Sequence, residues 1–190
     1  MFTVFRVFGV LGSYAALAAA GAVAADSPAA HAPGKYTVKV PGGLAVSEFK
    51  GYEKWQAISI SQSEKAVALI LGNPSMIEAF QAGIPENGKP FPDGAKMAKV
   101  HWQPKKQAQF PTATVPGTQR DVDFMVKDSK RFADTGGWGY AAFKYDVASN
   151  KFTPFTSADQ PPQASDARCG AACHTVVKAR DYVFTEYAQR

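Results

Sequence analysis

Residues 95–102 read AKMAKVHW, and this stretch decides the fold. Met97, Lys99 and His101 alternate with Ala98, Val100 and Trp102, a period of two that puts the first set on one face of an extended strand and the second on the other. Before it lies 83–94, GIPENGKPFPDG, whose Gly, Pro, Asn and Asp residues mark a loop. Further upstream Lys65–Leu71 is a compact apolar run stopped by Gly72-Asn73-Pro74, which predicts a buried strand and a turn. Ser75 is the expected cap of a short helix to about Gln81, closed by Gly83. In 49–62, FKGYEKWQAISISQ, a turn-rich entry leads to a strand in which Ile58 and Ile60 alternate with serines. Tyr36–Val40 alternates in the same way before Gly42-Gly43 breaks the chain.

Downstream, 103–119 (QPKKQAQFPTATVPGTQ) reads as a basic, proline-rich connection. Asp121–Val126 is a further strand, and Lys127-Asp128-Ser129 turns out of it. Residues 136–146, GGWGYAAFKYD, have the aromatic and glycine content of a strand approached closely by another group. After a polar loop at 157–166, SADQPPQASD, the last stretch (173–190) starts helical and is expected to end extended around Tyr182, Val183, Phe184 and Tyr187. The 13 prolines and 16 glycines, spread throughout, exclude a bundle of long helices. The prediction is a mainly β (α+β) domain over 35–190: a single antiparallel sheet with a few short helices and a distinctive C-terminal segment.

Residues 1–24 have the organisation of a signal peptide. Arg6 precedes the small-apolar run Val7–Ala20, and Ala22-Val23-Ala24 supplies the small-x-small cleavage pattern. Residues 25–34, containing DSPAAHAP, suit a flexible mature terminus. The expected location is periplasmic, with no membrane attachment after cleavage. The net charge of +5 arises from basic residues spread along the chain, so no nucleic-acid-binding patch is predicted.

The chemistry concentrates at 169–174, CGAACH. Two thiols and an adjacent histidine in an exported chain resemble a c-type haem attachment motif, in which both cysteines form thioethers and the imidazole binds iron. The usual motif has two residues between the cysteines and this one has three. On a helix either spacing leaves the two side chains on nearly one face, so Cys169, Cys173 and His174 are the candidate haem c ligands, with His174 on the iron. A single thioether through Cys173 and a Cys169–Cys173 disulfide are the alternatives. Sixteen residues follow His174, none of them Met or His, so a second axial ligand has to come from Met76, Met97, His101 or Met125. The expectation is that none binds and that the iron is five-coordinate.

Six segments, GYEKW, NPSMIEAF, FPDGAKMAKVHW, VKDSKRF, GGWGYAAF and CGAACHTVVKARDYVFTEY, resemble in order the cytochrome P-460 and cytochrome c-prime-beta family. The resemblance implies a β fold, a homodimer and a proximal histidine at His174. It also implies that Lys99 is the position cross-linked to a haem meso carbon in hydroxylamine-oxidising members, while members without the link bind nitric oxide or related ligands. Asp123 falls where the oxidising members carry a carboxylate and is the candidate base. Read from strand alternation alone, Lys99 and Asp123 are solvent-facing residues. A small nitrogen species and a redox partner protein are the expected partners. The other readings are an electron carrier and a haem-free exported β domain.

Overall fold

In the computed structural model the residues described are 35–38, 43–155 and 165–190, with the side chains of 165–168 left aside. The leader expected at 1–24 and the terminus at 25–34 lie outside them. Six strands form one sheet in sequence order: β1 (Gln56–Gln62), β2 (Val67–Gly72), β3 (Lys96–Lys106), β4 (Thr114–Lys127), β5 (Trp138–Asp146) and β6 (Lys151–Pro154). Each pairs antiparallel with its neighbour. The mainly β, single-sheet prediction holds. Among the described residues no helix is long and apolar enough to cross a membrane.

The alternation at 95–102 works as a sorting device. Ala98 and Val100 of β3, Val122, Phe124 and Val126 of β4, and Ala141 and Phe143 of β5 bury one face against Val46, Phe49 and Tyr52. Those three come from two short 3-10 turns, Val46–Phe49 and Tyr52–Lys54. Phe49 stacks on Phe124 at 4.2 Å between centroids, and Tyr52 meets the same ring edge-on at 5.2 Å. Met97 and Met125 point to the opposite face, where α1 (Pro74–Gln81) contributes Met76, Ile77, Ala79 and Phe80 to a second core with Ile58, Trp138 and Val183. A sheet covered on both faces needs apolar residues at both strand phases. Val126 and Met125, adjacent yet both buried, are the result.

Four local readings change. The cap of α1 is Asn73, whose Oδ1 accepts from the Met76 amide at 3.1 Å while Pro74 opens the helix; asparagine before a proline at the first helical position outcompetes Ser75. The 103–119 connection is largely strand, because β3 and β4 run past β2 as a long hairpin. Pro104 pairs opposite Pro116 beyond the last β2 partner, Trp102, where β3 has a free edge and the register is irregular, as proline requires. Lys35 and Tyr36 lie in a turn and Tyr36 and Val38 pack on the core without joining a strand, since Val38 contributes one carbonyl to Val46. Residues 183–190 form no strand; the Ala188 amide instead reaches the Ile58 carbonyl at 3.1 Å.

Candidate functional site

One cavity of about 630 Å³ lies between the second face of the sheet and the C-terminal segment, within the ~300–1,000 Å³ usual for cofactor sites. Its floor is built by strand register. Ile70, Lys99, Asp123 and Ala142 are successive Cα partners across β2, β3, β4 and β5, and Met97, Met125 and Tyr140 form the next row. All seven line the cavity. Lys99 is half-buried there, whereas Asp123 keeps about half its side chain in solvent (51 %). The choice left open by alternation is thus resolved for position: Lys99 faces the cavity and Asp123 stands beside it at the mouth.

The opposite wall is α2 (Ser165–His174), which packs on β5 and places Cys169, Gly170, Cys173 and His174 on the cavity. Both cysteines are free thiols with exposed side chains. Four residues apart on a helix, their Cβ atoms stand about 5–6 Å from each other, too far for the ~3.5–4.5 Å of a disulfide. Gly170 brings the helix down onto the sheet, because a Cβ there would meet Cβ and Cγ of Tyr140 at 2.8 Å. Gly170→Ala gains up to about 1 kcal/mol of helix propensity but meets an overpacking cost of about 1–3 kcal/mol. Net destabilisation of about 1 kcal/mol in urea unfolding is expected.

His174 is oriented before anything binds it. Its Nδ1 lies 2.6 Å from the carbonyl of Tyr182, so Nδ1 carries the proton and donates, leaving Nε2 as the lone-pair nitrogen. The ring is wedged between Tyr140 and Phe184, with centroids 5.0 and 4.9 Å away. Burial holds its pKa below the usual 6.5, the Tyr182 carbonyl opposes the shift, and the positive charge of Lys99 reinforces it. A neutral imidazole at neutral pH is the form that ligates a metal. The unfolded chain binds this proton more readily, so the haem-free protein should lose stability as pH falls below about 6.5; urea midpoints at pH 8 and 5.5 with His174→Gln as reference measure it.

The remaining iron-ligand candidates separate. Met97 and Met125 line the cavity, while Met76 and His101 are not part of its lining. Met76 is fully buried in the second core, and His101 Nδ1 stands 2.6 Å from Asp121 Oδ1 without the alignment of a hydrogen bond. Tyr140, one of the aromatics of 136–146, also belongs to the site. It walls the cavity, its hydroxyl is buried with no hydrogen-bond partner among the described residues, and burial keeps the phenol protonated. Only the aromatic-glycine composition of 136–143 hinted at it.

The cavity is largely apolar, with two thiols and a pre-oriented imidazole on one wall. A family model described as cytochrome P460 matches residues 49–185, a span from the first 3-10 turn to the segment beyond His174. The chain belongs to the cytochrome P460 family. Membership makes it a haem protein with iron as its metal, and the matched span contains every cavity-lining residue named above. No curated protein matches the chain. The residues present fit a haem in this P460 family member: an imidazole that could hold the iron and an apolar surround that could take the macrocycle.

Proposed function

We propose that this cytochrome P460 family member is a periplasmic c-type haem protein acting on small nitrogen species, either oxidising hydroxylamine or binding nitric oxide. The observation that carries the reading is the shared cavity: His174, Cys169 and Cys173 stand on one wall, and Lys99 and Asp123 stand paired on the floor. His174 would hold the iron through Nε2, and Cys173 and Cys169 would tether the haem through their thiols. Haem supplies the redox chemistry and the ligand-binding metal. The chain supplies the rest. Asp123 is half in solvent, so its carboxylate takes a proton from a bound N–H or O–H and passes it to water. Lys99 presents an amine toward the cavity, and a link from it to the haem, which the family resemblance implies for the oxidising members, would distinguish the oxidising from the ligand-binding role. Ile70, Met97 and Met125 exclude water from the cavity interior. Electrons leave to a redox partner protein, and a homodimer follows the family resemblance.

Absorption spectroscopy with peptide mass mapping tests this. A five-coordinate high-spin Soret band, one haem per chain, haem on the Cys169–Cys173 peptide and a Lys99 peptide carrying porphyrin are the expected set for the oxidising role. A free Lys99 peptide moves the assignment to nitric oxide binding. In the oxidising case Asp123→Ala should lower hydroxylamine turnover about 100-fold. The electron-carrier reading draws on Met97 and Met125, whose thioethers line the same cavity. A low-spin six-coordinate spectrum lost in Met97→Leu or Met125→Leu would establish it, and absence of a Soret band would remove haem altogether.

A further inference from the structure

Lys127 ends β4 on the face that carries Met125, and it is almost fully buried (6 % exposed). Its Nζ donates to Asp181 Oδ1 at 2.7 Å and to the Gly136 carbonyl at 3.0 Å, 5.1 Å from the centre of the Trp138 ring. The other carboxylate oxygen of Asp181 accepts from the Phe91 amide at 2.8 Å. Asp181 is itself well shielded, so both charges have given up most of their water.

Such a pair is a poor way to gain stability alone, since apolar residues of the same volume serve as well or better. Its location suggests another use. Asp181 and Tyr182 are consecutive non-glycine residues with φ of 48° and 64°, a conformation the backbone reaches only when its surroundings impose it. The Asp181 carboxylate is the anchor that imposes it, tied to β4 through Lys127 and to the loop before β3 through Phe91. What the turn delivers is the Tyr182 carbonyl, aimed at His174 Nδ1.

We propose that Lys127 and Asp181 are a positioning pair that holds the 181–182 turn, so that the Tyr182 carbonyl fixes the His174 ring and sets how strongly Nε2 donates to iron. The inference rests on His174 being the iron ligand. Donating Nδ1–H to a well-placed carbonyl raises the basicity of the other nitrogen, and a more basic axial ligand favours the ferric state. Loosening the turn reverses both effects.

The test uses the full-length holoprotein and two readouts, the Fe–His stretching frequency of the ferrous ligand-free form and the reduction potential. Asp181→Asn and Lys127→Met should each lower the stretch and raise the potential. Glu53→Gln is the control: it breaks the Lys35–Glu53 pair, 2.8 Å long and with a similarly buried lysine, on the far core. It should leave both readouts at wild-type values even where it lowers the melting temperature. If Asp181→Asn does not accumulate, Lys127→Arg, which keeps the charge but changes its reach, should give a smaller shift of the same sign. Wild-type values in the Lys127 and Asp181 variants overturn the positioning role alone. A wild type with no Fe–His mode, or one whose mode survives His174→Gly, overturns the ligand assignment and this inference with it.

Discussion

With His174 as the proposed iron ligand and the haem tethered as proposed, a His174→Gly variant is expected to fold and keep its haem while losing the nitrogen bond to iron, with activity or ligand affinity down about 100-fold or more. The estimate scales from the 10–100-fold cost typical of changes one shell further out. The fold should survive because His174 belongs to neither buried core and lines the cavity wall. Added imidazole should restore the Fe–N signature, since removal of the ring leaves a slot bounded by Tyr140 and Phe184 with the Tyr182 carbonyl still aimed into it. Resonance Raman spectra with and without imidazole measure this directly. Persistence of the wild-type mode in the variant would place the ligand on another nitrogen donor, with Lys99, which also lines the cavity, the first residue to examine.

The second large effect is expected at Gly136. Its φ is +70°, and a Cβ there would overlap the ring of Tyr182. Gly136→Val therefore adds left-handed backbone strain, about 1–3 kcal/mol, to an overpacking cost of about 1–3 kcal/mol. A loss of about 3 kcal/mol or more in urea unfolding should result. Gly51 is the comparison: φ is +85° with nothing within 4 Å of its Cβ position, so Gly51→Ala should cost only the conformational part, about 1–2 kcal/mol. Because the displaced ring belongs to Tyr182, Gly136→Val should also disturb the carbonyl that holds His174, and a haem spectrum altered beyond simple unfolding is the second readout. Equal losses for the two glycines would mean that Tyr182 yields freely.

What could be read from the sequence follows a physical division. Alternation at 95–102 and 121–126 and the apolar run before Gly72 are local signals, and they identify the central strands correctly. The cysteines and His174 are local too, being neighbours on one helical face. The outer hairpin was obscured because Pro104 and Pro116 argue against strand, and only the overhang beyond β2 makes them harmless there. β6 lay in a short polar stretch whose pairing with β5 no periodicity announces. The partnership of Lys127 with Asp181 spans 54 positions, and a lysine ending a strand looks like an ordinary solvated terminus until tertiary packing covers it. The partner of His174 was invisible for a further reason. It is a backbone carbonyl, which every residue has, and only the left-handed turn at 181–182 selects the one from Tyr182.

The sheet order β1 to β6, with every strand beside its sequence neighbour, has a consequence for assembly. Each strand can dock as a simple hairpin on the one before it, so closure costs stay low and the sheet requires no late threading. The thiol-bearing helix follows all six strands and rests on β5. The surface it settles against can therefore be complete before Cys169 and Cys173 arrive, which keeps both thiols and His174 accessible until the platform that must receive them is in place.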